Sequence, residues 1–186
     1  MGVLQELAVN LGAQERTLRR AVAQGTVRAD RTGPRRLRLT DDEREYLRAH
    51  WPLLSALRRA LRTEHGVRLA VLYGSLARGD EDESSDLDLL VALADERPSS
   101  LYALGRRLQS AGEDRHVDIA RLERVRASAP LLLECALEDG RVLVDRDRQW
   151  DRLREDGPQI RARARRSHRK HMADTARAIE ELIGER

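Results

Sequence analysis

The feature that most constrains this chain is a short apolar segment that ends at a glycine and a serine. Residues 67–73 read VRLAVLY, and Gly74 and Ser75 follow directly. This apolar run predicts a buried strand. Gly74 has no Cβ and lets the backbone come close to a ligand, while Ser75 offers a hydroxyl and an N–H at the start of a helix. The segment therefore predicts an anion-binding turn at the end of a buried strand.

Paired carboxylates follow this turn. Residues 86–93 form a second predicted strand, in which period-two alternation places Asp86 and Asp88 on one face and Leu87 and Leu89 on the other. Two carboxylates this close repel each other unless a divalent cation or a proton joins them. Because the ligands are all oxygens, the expected cation is Mg²⁺ or Mn²⁺.

A third carboxylate is predicted on the same sheet face. Residues 116–120 form a third short strand, in which Val117 and Ile119 face the core and Asp118 faces the other way. Three carboxylates beside a phosphate-binding turn are what two-metal phosphoryl or nucleotidyl transfer requires.

Gly74-Ser75, Asp86-x-Asp88 and the later Asp118 together resemble the DNA polymerase beta-type nucleotidyltransferase superfamily, and specifically its minimal nucleotidyltransferase branch, over about residues 50–150. The resemblance implies an α/β (α+β) domain with a short mixed sheet. It implies that Gly74 and Ser75 hold the triphosphate of an NTP, expected to be ATP. It also implies that Asp86 and Asp88 bind both metals, and that Asp118 ligates one metal and helps to deprotonate the acceptor hydroxyl.

Two further residues fit the pattern after Gly-Ser. Arg78 is expected near the nucleotide or bracing the acidic loop, and Gly79 follows it in the nucleotide-binding segment. The acidic loop, residues 80–83, is expected to be solvated. Proteins of this branch often act as antitoxins that adenylylate a partner toxin, commonly a HEPN-type ribonuclease, on a tyrosine. The resemblance thus makes a protein toxin a candidate partner.

Charge divides the chain into a basic head, an acidic middle and a basic tail. Residues 1–40 contain eight arginines and three acids, residues 51–150 contain 15 cations and 18 acids, and residues 161–170 contain six cations and no acid. This distribution suggests polyanion contacts at the ends and a cation-binding centre. The predicted units are a winged helix-turn-helix domain (1–41), connecting helices (42–64), the nucleotidyltransferase domain (65–150) and a basic helical extension (151–186).

The head predicts two short helices and a hairpin. The first helix ends at Gly12, the second covers residues 14–23, and strands at 27–30 and 36–40 enclose a turn at Thr32-Gly33-Pro34. This order resembles helix-turn-helix DNA-binding domains, in which the second helix enters the major groove and the wing lies beside the backbone. The candidate DNA-binding residues are Gln14, Arg16, Thr17, Arg19, Arg20, Arg35, Arg36 and Arg38. A head this small is expected to bind DNA as part of a homodimer. The alternative is a helical protein-interaction domain with solvated arginines.

The remaining segments predict mainly helices. Thr40-Asp41-Asp42-Glu43 fits a capping box that begins a helix, and Pro52 is expected to start a second one. Further helices are predicted over residues 99–110, 129–137 and 160–183. The basic part of the last one is interpreted either as an exposed helix or as a surface for RNA, DNA or an acidic partner. Cys135 is expected to be a buried small hydrophobe.

The predicted function is a Mg²⁺-dependent transfer of NMP, in the first place AMP from ATP, to an acceptor hydroxyl. Two alternatives remain open: a transcription regulator whose nucleotidyltransferase domain only senses nucleotide, and a small-molecule (antibiotic) nucleotidyltransferase. No apolar run approaches the roughly 18 residues of a membrane span. The first ten residues lack a basic and then apolar export signal. A cytoplasmic protein that does not contact membrane is expected.

Overall fold

A computed structural model describes residues 2–33, 36–95 and 97–184. The chain begins with the helices α1 (Val3–Asn10) and α2 (Glu15–Gln24), and the strands β1 (Asp30–Gly33) and β2 (Arg36–Arg38) pair antiparallel after them. The order of elements agrees with the sequence prediction. The first strand begins three residues later than predicted, because the backbone N–H of Arg28 donates to a carboxylate oxygen of Glu43 at 2.9 Å and holds this segment away from the hairpin.

One long helix, α3 (Asp41–Thr63), follows the hairpin. The Thr40 hydroxyl accepts the backbone N–H of Glu43, so half of the predicted capping box is present. The Glu43 carboxylate accepts hydrogen bonds from Arg28 and Arg141 instead of completing the box. The prediction that Pro52 starts a new helix is wrong. Pro52 lies on the exposed side of α3, where its ring costs one backbone hydrogen bond, and the buried apolar face continues past it.

A four-stranded mixed sheet forms the centre of the molecule. Its strands are β3 (Val67–Tyr73), β4 (Leu87–Leu93), β5 (Val117–Arg121) and β6 (Arg141–Asp145), in the order β5-β4-β3-β6. β3 runs antiparallel to both β4 and β6, and β4 runs parallel to β5. The predicted strands at 67–73, 86–93 and 116–120 are confirmed to within one residue at each end.

Helices cover both faces of this sheet. They are α4 (Ser75–Arg78), α5 (Pro98–Ala111), α6 (Leu122–Ser128), α7 (Pro130–Asp139), α8 (Gln149–Glu155) and α9 (Gly157–Gly184). α6 and α8 were not predicted, since seven residues are too few for a clear helical periodicity. Within the described ranges, no helix is long and apolar enough to cross a membrane.

The sheet separates two buried clusters. On one face, Leu7 and Leu18 of the head belong to the same cluster as Leu47 of α3 and Leu72 of β3. On the other face, the cluster contains apolar residues of α6 to α9. Head and sheet also meet through the backbone, because the N–H of Val142 donates to the carbonyl of Gly25 at 3.2 Å. The domain boundaries at residues 41, 64 and 150 remain predictions.

Candidate functional site

The Gly-Ser turn forms where the central strand β3 ends. Gly74 has φ +78°, and α4 runs from Ser75 to Arg78 with Gly79 as its C-cap, which has φ +88°. A Cβ built on Gly74 would collide with Oδ2 of Asp88. Glycine is therefore needed at position 74 both for its backbone conformation and to let the Asp88 carboxylate lie directly against the turn.

Two of the predicted acids are neighbours across adjacent strands. Asp88 is the register partner of Tyr73 on β3 and of Asp118 on β5. Register partners project from the same face of a sheet, so all three side chains share one face. Asp88 is half-buried, whereas Asp118 and Asp86 are exposed. Asp86 precedes β4 by one residue and lies two positions before Asp88.

The carboxylates of this face act on one another electrostatically. Burial raises the pKa of Asp88, and the charges of Asp118 and Asp86 raise it further, while Arg78 acts in the opposite direction. Burial also raises the pKa of the Tyr73 phenol to about 12, with further contributions from Asp88 and Asp118. The site therefore concentrates negative charge that favours a cation or a proton.

The acids fit a divalent cation by their chemistry. All three are carboxylates, and oxygen ligands of this kind suit Mg²⁺ or Mn²⁺. In the part of the chain that the structure describes, however, no three acidic, histidine or cysteine side chains converge as a formed metal-binding cluster. The structure thus brings Asp88 and Asp118 together and leaves Asp86 at the rim.

The segment after α4 is more ordered than an acidic, solvated loop. Nε of Arg78 donates to Oδ2 of Asp80, the first residue of the acidic loop, at 3.0 Å. Glu81 is only 15% exposed and pairs with Nε2 of His50 at 2.5 Å, so the expectation of a fully solvated loop is wrong at this residue. The Asp82 carboxylate accepts hydrogen bonds from Ser84 and Ser85.

Sequence reasoning missed the residues that donate hydrogen bonds to the backbone carbonyls of α4. The Tyr46 hydroxyl donates to the carbonyl of Leu76 at 2.9 Å, and Nε of Arg141 donates to the carbonyl of Ala77 at 2.8 Å. Arg141 is buried and makes a two-pronged ion pair with Glu43. A buried arginine at the start of a strand is indistinguishable in sequence from an exposed one, and 98 positions separate it from its partner.

One further expectation is wrong near the site. Cys135 on α7 is exposed rather than buried. Its side chain contributes to the raised pKa of Tyr73, and Arg78 acts on the Cys135 thiol, so it lies at the same end of the sheet as the acids. Position on a mostly apolar helix had suggested burial, but Leu133 and Ala136 occupy the inward face.

The candidate DNA-binding residues of α2 are on the surface. Arg16 and Arg20 are exposed, Thr17 is partly buried, and Arg19 pairs with Glu15. Gln14 is the N-cap of α2 and makes no side-chain capping hydrogen bond. On the hairpin, Arg38 is exposed, only the backbone of Arg36 is described, and Arg35 lies outside the described residues.

A mixed sheet that carries a Gly-Ser turn and paired carboxylates at one end defines a nucleotidyltransferase domain. Residues 56–149 match the family described as polymerase beta, nucleotidyltransferase, which is slightly more than half of the chain. The chain belongs to this family and is a nucleotidyltransferase. The match begins inside α3, so it does not assign the head. No curated protein sequence matches the chain.

Solved structures of toxin-antitoxin proteins have the same fold. A toxin-antitoxin structure with AMP-PNP is 20% identical over 66% of this chain and 98% of that chain, with a TM-score of 0.53. A mutant of the toxin-antitoxin MntA-HpeT is 19% identical over 66% and 98%, with a TM-score of 0.54. A second MntA-HpeT mutant is 21% identical over 66% and 96%, with a TM-score of 0.52. At this level of identity the likeness shows the fold.

Proposed function

We propose that this protein transfers AMP from ATP to a hydroxyl of an acceptor in a reaction that depends on Mg²⁺ or Mn²⁺. The observation that carries this proposal is the register pairing of Asp88 and Asp118 beside the turn at Gly74. Family membership supports nucleotidyl transfer, and the AMP-PNP of a structural neighbour supports an adenine nucleotide. Because ATP is an intracellular nucleotide, the proposed site of action is the cytoplasm.

Each residue of the site has a proposed role. Gly74 and Ser75 bind the triphosphate through backbone N–H groups and the serine hydroxyl, and Gly79 ends the helix that follows them. Arg78 contacts Asp80 of the acidic loop, and its positive charge would balance negative charge of the nucleotide.

Asp86, Asp88 and Asp118 would hold the divalent cations, which supply charge stabilisation for the transferred phosphoryl group. Asp118 also accepts the proton of the acceptor hydroxyl. The acceptor oxygen then forms a bond to the α-phosphorus, the bond from this phosphorus to the bridging oxygen breaks, and pyrophosphate leaves. The exposed position of Asp118 at the edge strand suits contact with a large acceptor.

We propose a protein toxin as the partner that carries the acceptor hydroxyl, so that the chain acts as an antitoxin. The support is the fold shared with toxin-antitoxin proteins, which extends over nearly the whole of those chains. We further propose that the head binds DNA as a homodimer, with Arg16 and Arg20 exposed on α2 for phosphate or base contacts. The head would then bring the enzyme to its own operon.

The test uses ATP labelled at either the α- or the γ-phosphate, incubated with the protein, Mg²⁺ and lysate. If AMP is transferred, the acceptor becomes labelled when the label is on the α-phosphate of ATP. It stays unlabelled when the label is on the γ-phosphate. Asp86→Asn with Asp88→Asn is expected to abolish labelling. Glu83→Gln with Asp114→Asn removes two exposed carboxylates and should leave labelling unchanged.

The outcomes separate the alternatives. ATP binding with no labelled acceptor supports a nucleotide-sensing regulator, and a labelled small molecule supports an antibiotic-type nucleotidyltransferase. Labelling that survives in the Asp86 and Asp88 double variant contradicts the proposed roles of both acids.

A further inference from the structure

The helix that follows the Gly-Ser turn is too short to satisfy its own backbone. α4 contains only Ser75–Arg78. The carbonyl of Gly74 accepts the N–H of Arg78, and the carbonyl of Ser75 accepts the N–H of Gly79 at 2.8 Å. The next two carbonyls, of Leu76 and Ala77, have no such backbone partner after the helix within the described residues. The last carbonyls of any helix need partners from elsewhere, and these two are buried.

Side chains from three distant segments supply these partners. The Tyr46 hydroxyl donates to the Leu76 carbonyl at 2.9 Å. Nε of Arg141 donates to the Ala77 carbonyl at 2.8 Å, and Nη2 of Arg28 approaches the same carbonyl at 3.3 Å. A cationic donor at this position also complements the negative end of the helix dipole.

These donors are themselves fixed in place. Arg141 is 1% exposed, and its two terminal nitrogens donate to the two carboxylate oxygens of Glu43 at 2.8 and 2.9 Å. The Arg141 guanidinium lies 3.5 Å from the centre of the Tyr46 ring, whose other neighbour is the stacked ring of His50. A two-pronged arginine–carboxylate pair packed against stacked rings is confined to a narrow range of geometries. The hydrogen-bond donors of Arg141 and Tyr46 therefore cannot shift without breaking several contacts.

The same ring also limits the position of Gly79. A Cβ on Gly79 would lie 2.8 Å from Cδ2 of Tyr46, closer than real Cβ atoms approach other atoms. Tyr46 therefore contacts α4 twice, through its hydroxyl at Leu76 and through its ring at Gly79. Both contacts are at the C-terminal end of α4, opposite the turn that faces the carboxylates.

We propose that Tyr46, Arg141 and Glu43 are positioning residues for the nucleotide-binding turn. Tyr46 and Arg141 bind the free carbonyls of α4, and Glu43 holds Arg141 in place. Together they fix the orientation of this helix, and with it the N–H and hydroxyl of Ser75 relative to Asp88. This inference rests on the proposed binding of nucleotide at Gly74 and Ser75. Because Arg28 and the buried Thr26 carbonyl also contact this cluster, the head contributes to the support.

The first test is Tyr46→Phe, which removes one hydroxyl and keeps the ring. Loss of one buried hydrogen bond to the turn's helix is expected to raise the KM and the Kd for ATP by about fivefold while kcat changes less than twofold. Tyr102→Phe is the matched control, since Tyr102 lies on α5 and is 68% exposed, and it should change neither constant. If the substitution only reduced the fraction of folded protein, the apparent kcat would fall in proportion and the KM of the molecules that remain folded would not change.

The second test removes the ion pair without leaving an unpaired buried charge. Glu43→Gln with Arg141→Met keeps an acceptor for the Arg28 N–H and fills the space of the arginine stem. We expect this pair to raise the Kd for ATP by at least as much as Tyr46→Phe. Unchanged ATP binding in both variants would contradict the positioning role. A wild-type protein that does not bind ATP would contradict the proposed function itself, which keeps the two failures distinct.

Discussion

Asp88 and Asp118 are direct register partners on the parallel strands β4 and β5. Their carboxylates therefore share one sheet face, and burial together with the charges of Asp118 and Asp86 holds the pKa of Asp88 above its ordinary value of 3.8. An acid whose pKa is higher in the folded state binds more protons when folded than when unfolded. The free energy of unfolding consequently falls as the pH rises from about 3.8 through the raised pKa, and stays lowered above it.

Asp88→Asn should therefore stabilise the metal-free protein at pH 7.5. The amide cannot ionise, so the variant avoids the burial cost and the repulsion from Asp118. Because Asp88 is partly solvated, the expected gain is about 0.5–1 kcal/mol, shrinking towards pH 4.5. Urea unfolding at both pH values measures it, with exposed Glu83→Gln as an unaffected control. A variant less stable than the wild type at pH 7.5 would contradict this account of the site.

Divalent cations should reverse this order of stability. At a Mg²⁺ concentration ten times its dissociation constant, binding to the folded wild type is expected to raise the melting temperature by about 3–6 °C. Asp88→Asn should show no such rise, since it lacks the central carboxylate. The comparison uses NaCl at matched ionic strength, which screens repulsion without bridging the acids. Equal shifts from both salts would mean that no specific cation site exists.

Gly74→Ala should damage both stability and nucleotide binding. Position 74 has φ +78°, and the added methyl group would overlap Oδ2 of Asp88. The expected loss is about 1–3 kcal/mol in the free energy of unfolding, together with at least a tenfold higher Kd for ATP. Gly66→Ala is the control, because nothing lies within 4 Å of a Cβ at that position. Titration calorimetry with ATP on both variants decides the point, and equal ATP binding by the two would argue against a ligand at this turn.

The elements with strictly local signals could be predicted from the sequence. β3 was predicted at its exact limits because seven residues of mostly apolar side chains are bounded by glycines at 66 and 74. The N-cap at Thr40 and the left-handed end of α2 at Gly25 follow from the same kind of local chemistry. The common face of Asp88 and Asp118 also follows, since alternation fixes which face each side chain occupies, whereas their register pairing does not.

The contacts of Tyr46, Glu43 and Arg141 that hold α4 could not be predicted, because they join residues far apart in sequence. Glu43 has the spacing of a capping-box residue, and nothing local indicates that Arg141 competes successfully for its carboxylate. Pro52 is tolerated inside α3 because the packing of the buried face outweighs one lost hydrogen bond. Glu81 resembles its exposed neighbours, and only the position of His50 on α3 accounts for its burial.

Thr26→Val should show that the head and the sheet are energetically linked. The buried Thr26 hydroxyl donates to the carbonyl of Val142 at 2.5 Å, at the edge strand β6. Valine fills the same volume but leaves this carbonyl without its donor, at an expected cost of about 1–3 kcal/mol. Thr32→Val on the exposed face of β1 is the matched control and should be nearly neutral. Scanning calorimetry should record a single unfolding transition whose midpoint temperature is lower in Thr26→Val than in the wild type. A separate early transition for the head, with the main one unmoved, would show that the two units unfold independently.

Arg16→Ala with Arg20→Ala should weaken binding to promoter DNA if α2 lies against the duplex. Both side chains are exposed on one helix, and each lost phosphate contact removes about one unit from the slope of log affinity against log salt. The double variant should therefore lower this slope by about two and reduce affinity at 100 mM salt by about tenfold or more. Arg59→Ala with Arg106→Ala removes the same charge from α3 and α5, outside the head, and controls for the change in overall charge.

Fluorescence anisotropy with a labelled promoter fragment at several salt concentrations measures the DNA affinity of both double variants. Equal losses from the two pairs would reduce the effect to general electrostatic attraction, and no loss from either would remove DNA binding from the functions of the head.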